Sequence, residues 1–120
     1  MQKNSSTMIT IYHNPRCSKS REGLQLLEME GKPFTTVKYL NEPLTKNELT
    51  SIIKKLNITP LELVRTKEKV WTENYKGKQL TDDEVIEAML EHPALIERPI
   101  VVNGEKAVVA RPAERIKEII

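Results

Sequence analysis

Met8-Ile9-Thr10-Ile11-Tyr12-His13-Asn14-Pro15-Arg16-Cys17-Ser18 passes from a short apolar run, through a turn, to the start of a helix. Met8–Tyr12 is short, apolar and β-branched, which reads as a buried strand. His13-Asn14-Pro15 ends it, because proline lacks an amide donor and fixes φ. A helix follows from about Ser18 to Glu30, with Leu24 and Leu27 on one face and Gly31 in the usual C-cap place. Phe34–Tyr39 reads as a second strand. A strand, a helix and a strand in so short a span predict a parallel βαβ unit.

Working outward, the middle of the chain is helical. Thr45-Lys46-Asn47-Glu48 is a capping box, and Leu49, Ile52, Ile53 and Leu56 follow at i, i+3, i+4 and i+7. Pro60 opens a short helix carrying Leu61 and Val64. Residues 65–78 show no clear period and are expected to form a loop. A second capping box, Thr81–Glu84, starts a helix with Val85, Ile86, Met89 and Leu90. The C-terminal part reads as two strands, Ile100–Val102 and Ala107–Val109, joined by an Asn103-Gly104 hairpin turn. Pro112 then begins a last helix with Ile116, Ile119 and Ile120 on one stripe. The order β-α-β, helices, β-β-α fits an α/β fold with one mixed four-stranded sheet. A thioredoxin-like fold has this order, with the helices of about 43–92 as an insertion. The expected organisation is one domain, 1–120, behind a polar tail, 1–7.

The 120 residues suit one such domain. Hydrophobic residues make up 38% and charged residues 30%, an ordinary globular balance. No apolar run approaches the roughly 20 residues of a membrane helix. Met1–Thr7 lacks the apolar core of a secretory signal, so a cytoplasmic location is expected. A net charge of +2 gives no electrostatic case for nucleic acid. The expectation is a monomer with neither nucleic-acid nor membrane partners.

Cys17 is the single cysteine, so the chain can form no internal disulfide. It stands where the first strand hands over to the first helix. A helix N-terminus offers unpaired N–H groups and a positive dipole end, and both favour the reactive thiolate. Arg16, Lys19 and Arg21 add positive charge, and His13 is placed to stabilise the anion or donate to it. The same N–H groups can cradle an oxyanion. A lone free cysteine is more often a buried structural residue; the polar, basic, helix-opening context reverses that reading here.

Six of the 19 basic residues are arginines. Arg16 and Arg21 flank the cysteine, Arg65 ends the short middle helix, and Arg98 and Arg111 precede Pro99 and Pro112. The guanidinium fork suits a tetrahedral oxyanion in a way an ammonium does not. Arg98 and Arg111 lie at the two open ends of the predicted hairpin and should be close in space. Any one of them alone would pass for a surface charge. Three at element boundaries form a candidate anion site. Pro99, just before an interior strand, stands at one of the few places a strand tolerates proline, and a cis bond there is an option.

Ile9–Cys17, Glu97-Arg98-Pro99-Ile100-Val101-Val102 and Ala110-Arg111-Pro112-Ala113-Glu114 resemble the signatures of the glutaredoxin-dependent arsenate reductases. The resemblance runs from about Met8 to the C-terminus. It implies a thioredoxin-like fold with a helical insertion. Residue by residue, it implies Cys17 as the nucleophile on arsenate and His13 as the histidine that tunes it. Arg65, Arg98 and Arg111 would hold the arsenic oxyanion, and Pro99 would be a cis-proline beside the site. Asn14, Ser20 and Arg21 would support the cysteine loop, with Ser20 a candidate hydrogen-bond partner of the thiolate. It further implies that a covalent thio-arsenate forms on Cys17, that glutathione adds to the arsenic, and that glutaredoxin resolves the product and releases arsenite. No bound cofactor and no metal are expected; glutathione is a co-substrate. The absence of a second cysteine accords with an external thiol completing the cycle.

Three other readings compete. A thioredoxin-like, redox-responsive regulator of RNA polymerase would be a binding protein, but such relatives often carry Cys-x-x-Cys, and here the second position is Ser20. A monothiol glutaredoxin-like enzyme leaves the arginines without a purpose. A metal site lacks a ligand set, because His13 and His92 are far apart in sequence.

Overall fold

The computed structural model describes residues 9–120. The polar tail 1–7 and the strand start at Met8 lie outside the described residues. The described chain divides into two compact units, one formed by residues up to Glu42 together with Arg98–Ile120, the other by Pro43–Glu97.

The first unit is built on a four-stranded mixed sheet. Its strands are β1 (Ile9–Tyr12), β2 (Phe34–Val37), β3 (Ile100–Asn103) and β4 (Lys106–Val109), in spatial order β2-β1-β3-β4. β1 runs parallel to β2, with Ile9 opposite Phe34, and antiparallel to β3, with Tyr12 opposite Ile100. β3 and β4 form the hairpin, with Ile100 opposite Val109. The helix α1 (Ser18–Glu30) joins β1 to β2. The core gathers Ile9, Ile11, Leu27, Val101, Val108, Ala110 and Ile116, with Leu24 and Phe34 packed against it. Apolar side chains that alternate along β1 and recur along α1 thus meet in one cluster, which is what fixes both elements.

Three details of this unit differ from the sequence reading. β2 stops at Val37 instead of Tyr39, because the Lys38 carbonyl accepts from the amides of Asn41 and Glu42 and turns the chain. Tyr39 is nevertheless 1% exposed, so its apolar character reflects burial outside a strand. The hairpin turn is Gly104-Glu105, one residue later than Asn103-Gly104. Asn103 is the last residue of β3, and its side-chain amide donates to the Ile119 carbonyl at 2.6 Å. Gly104 takes φ 64°, as the first central residue of a type II′ turn requires. The C-terminal helix is 3₁₀, Ala113–Glu118, with Ile116 fully buried.

α1 carries an interior glycine for a packing reason. A Cβ on Gly23 would stand 2.9 Å from Pro99 Cγ and 3.7 Å from the end of Ile11. The absent side chain lets the helix lie directly against the segment that enters β3.

The second unit is helical: α2 (Lys46–Leu56), α3 (Lys69–Asn74) and α4 (Asp82–Glu91), with short 3₁₀ turns at Pro60–Leu63 and Pro93–Leu95. Both capping boxes form. Thr45 Oγ1 accepts from the Glu48 amide, Thr81 Oγ1 from the Glu84 amide, and each glutamate accepts from its threonine's amide at 2.8 Å. Leu49, Ile52, Ile53, Leu63, Val85, Ile86, Met89 and Leu95 are buried in this unit. Leu61 is half exposed and Leu63 takes the buried place in its turn. The expected loop 65–78 contains α3, whose short length left too few positions to display a period.

Candidate active site

The cysteine loop is assembled by hydrogen bonds that all run within seven residues. The Cys17 amide donates to the Asn14 carbonyl at 3.0 Å, and Asn14 Oδ1 accepts from the Arg16 amide at 3.0 Å. Arg21 closes the far side, its guanidinium donating to the Pro15 carbonyl at 2.8 Å. Cys17 is the N-cap of α1, with extended backbone (φ −96°, ψ 123°), and its thiol is partly exposed. Its carbonyl accepts from the Arg21 amide, the first turn of the helix.

Burial pushes the Cys17 thiol up, but the opposing interactions win and its pKa lies below the ordinary thiol value. The amide of Ser20, the Arg98 side chain and the Lys19 amide all hydrogen-bond the sulfur, and the Arg98 charge adds its attraction. A thiolate at a helix N-terminus with a guanidinium beside it is the arrangement that makes cysteine nucleophilic.

Ser20 contributes its backbone to the sulfur, while its side chain points the other way. Ser20 Oγ is fully buried, 2.9 Å from the Asn14 amide that donates to it and 2.7 Å from His13 Nδ1. The Ser20 hydroxyl thus links the Asn14 amide to the His13 ring. His13 is 3% exposed. Burial first, then the charges of Lys38 and Arg21, hold its pKa below the usual histidine value, against a raising hydrogen bond to Ser20. The ring is therefore neutral at neutral pH. It braces Ser20, whose amide faces the sulfur.

Arg98 and Arg111 come together, as the hairpin ends predict: Arg111 Nη1 donates to the Arg98 carbonyl at 3.4 Å. The Ala110 amide bonds the Pro99 carbonyl at 2.9 Å, tying the two segments. The Arg98–Pro99 bond is cis, and so is Arg111–Pro112, which the sequence did not announce. Cys17, His13, Asn14, Ser20, Arg21, Arg98, Pro99 and Arg111 all belong to the sheet-bearing unit.

Arg65 belongs to the helical unit. There Val64 and Ile96 form an isolated antiparallel bridge, flanked by Arg65 N–H to Leu95 O at 2.7 Å and Glu97 N–H to Leu63 O at 2.9 Å. That pairing sets Arg65 beside Glu97, at 3.6 Å, and Arg65 Nε lies 3.3 Å from Glu68. Sequence reasoning missed these two carboxylates. The signal for Glu68 was its spacing of three from Arg65; Glu97 depends on a long-range pairing with no local signature. Arg16 and Lys19 are exposed, and Lys19 meets Glu22 at 3.9 Å. Among the described residues no three His, Cys, Asp or Glu side chains gather as a metal-holding group, and no helix is long and apolar enough to cross a membrane.

The model of the ArsC family matches residues 12–119. The chain belongs to the ArsC family. It is 46% identical over 114 residues to an arsenate reductase of Haemophilus influenzae, covering 93% of this chain and 98% of that protein. It is 42% identical over 114 residues to an arsenate reductase of Neisseria meningitidis serogroup A, covering 93% and 97%. A solved arsenate reductase from Vibrio cholerae matches with a TM-score of 0.90 at 43% identity, covering 95% of this chain and 98% of that one. The fold of this ArsC-family chain is accordingly the thioredoxin-like one, a mixed four-stranded sheet with helices.

Proposed function

We propose that this protein reduces arsenate to arsenite through a covalent intermediate on Cys17. The observation that carries the reading is the sulfur itself: a partly exposed thiol of lowered pKa, hydrogen-bonded by two helix N-terminal amides and by Arg98. Arsenate is a tetrahedral oxyanion, which forked donors suit: Arg98 acts on that sulfur, and Arg111 donates to the Arg98 carbonyl. Arg65 completes the set by resemblance to the family.

The chemistry balances as follows. Cys17 thiolate attacks arsenic(V), an S–As bond forms, and one arsenate oxygen leaves as water after taking up protons. No redox change occurs in that step. Glutathione then adds to arsenic with loss of a second water. Glutaredoxin's thiolate attacks the glutathione sulfur, an S–S bond forms, and the S–As electron pair passes to arsenic, which becomes arsenic(III). Water releases arsenite and returns Cys17 to the thiol. Two electrons leave two external thiols and reach one arsenic, so one cysteine suffices.

A coupled assay tests this: arsenate, glutathione, glutaredoxin, glutathione reductase and NADPH. Arsenate-dependent NADPH loss is the expected result, and its absence with competent partners would overturn the reading. Replacing glutathione, glutaredoxin and glutathione reductase by thioredoxin and thioredoxin reductase identifies the external thiol; the expected outcome is lost turnover.

A further inference from the structure

The helical unit holds a cavity of about 420 Å³ that the proposed reaction does not use. Its walls include Leu61, Trp71, Tyr75, Leu80 and Val85. Trp71 and Tyr75 are stacked, their ring centroids 5.1 Å apart and inclined by 24°, and His92 meets the Tyr75 ring edgewise at 6.2 Å. The size lies within the range of small-molecule sites, about 300–1,000 Å³, and the lining combines an apolar wall with polar side chains.

The polar groups are predominantly donors. Lys76 and Lys78 line the cavity on either side of Gly77. Gly77 adopts φ 83°, and the turn is pinned by the Lys76 amide to Trp71 O at 3.0 Å and the Lys78 amide to Tyr75 O at 3.1 Å. A left-handed glycine between two exposed lysines, anchored to the end of α3, thus places both lysines in the lining. Neither lysine has an ion pair among the described residues. Trp71 is 7% exposed. Thr66 adds a hydroxyl, and Asp82 is the lone carboxylate of the lining. An aromatic wall with two lysines in the lining is complementary to a small ligand with an apolar or aromatic body and a carboxylate end.

We propose that this cavity binds such a ligand, an aromatic or branched aliphatic carboxylate. Its body would lie against Trp71 and Leu61 and its anionic end against Lys76 and Lys78.

Trp71 is the single tryptophan of the chain, so binding has a built-in reporter. The full-length protein is titrated with 3-phenylpropionate, which does not absorb where tryptophan is selectively excited, and with its uncharged amide. A saturable change in Trp71 fluorescence with the carboxylate is expected. Binding should weaken about fivefold to tenfold with the amide and in a Lys76→Gln/Lys78→Gln variant, because solvated charge contacts are individually weak. Circular dichroism checks that the variant is folded, and the indole N–H resonance of Trp71 gives a second reading of occupancy. No saturable response to the carboxylate in the millimolar range overturns the proposal. Equal binding of the amide, or undiminished binding by the folded variant, overturns the anionic assignment. A response only to an apolar peptide would make the cavity a protein-docking site and overturn it equally. None of these readings depends on arsenate turnover.

Discussion

Pro99 Cγ lies 2.9 Å from the position a Cβ on Gly23 would occupy, so α1 and the segment entering β3 touch without an intervening side chain. The contact joins the two pieces of chain that carry the chemistry. α1 begins at Cys17, and Pro99 follows the arginine that bonds its sulfur. Gly23→Ala should therefore destabilise the protein, although alanine is the better helix former by about 1 kcal/mol. Overpacking against a rigid proline ring costs about 1–3 kcal/mol, which leaves a net loss of up to about 2 kcal/mol. Urea unfolding of the variant measures it.

The Cys17 thiol should react with iodoacetamide at pH values below those of an ordinary thiol. Burial opposes the thiolate, but the Ser20 and Lys19 amides and Arg98 outweigh it. Arg98→Gln should move the midpoint of the rate profile upward without restoring an ordinary thiol, because the two amides remain. A midpoint unchanged by this substitution would remove Arg98 from the activation.

His13 titrates below its ordinary value of 6.5 in the folded protein. The unfolded chain therefore takes up the proton first as pH falls. The associated stability is full above about pH 6.5 and is lost as pH drops toward the folded pKa. Thermal unfolding of the wild type should show a decline from pH 7.5 to pH 5.5. His13→Asn should lower the midpoint at pH 7.5 and show a shallower decline.

Arg98→Lys and Arg111→Lys should each reduce kcat/KM for arsenate about tenfold to a hundredfold with the fold intact. Lysine keeps the charge but loses the fork, and a hydrogen bond to a charged group contributes about 1.5–3 kcal/mol. Steady-state kinetics and circular dichroism together check this.

Much of the fold could be read from the sequence because its elements carry complete local signals. Both capping boxes, the Gly31 C-cap and the helical spacing of Leu49, Ile52 and Ile53 appear in the structure as their chemistry requires. The turn at Gly104 was misplaced by one residue, because Asn103 extends β3 and is held by the Ile119 carbonyl. The helix at Lys69–Asn74 escaped notice because six residues make fewer than two turns. At the site, the cysteine, the histidine and the hairpin arginines were legible as a local motif and a pair of strand ends. The orientation of Ser20 was not: its side chain faces His13 and its amide faces the sulfur, a distinction set by the turn geometry of residues 14–20. Gly23 carried no local clue, because the atom it makes room for is 76 residues away in sequence.

The central claim is that one thiol, Cys17, carries arsenic through reduction. The direct measurement is arsenite released per unit time from arsenate, with glutathione and glutaredoxin present, by the wild-type protein and by Cys17→Ser. The account predicts steady arsenite release by the wild type and none above background by the folded variant. Arsenite release by Cys17→Ser at a wild-type rate would contradict it.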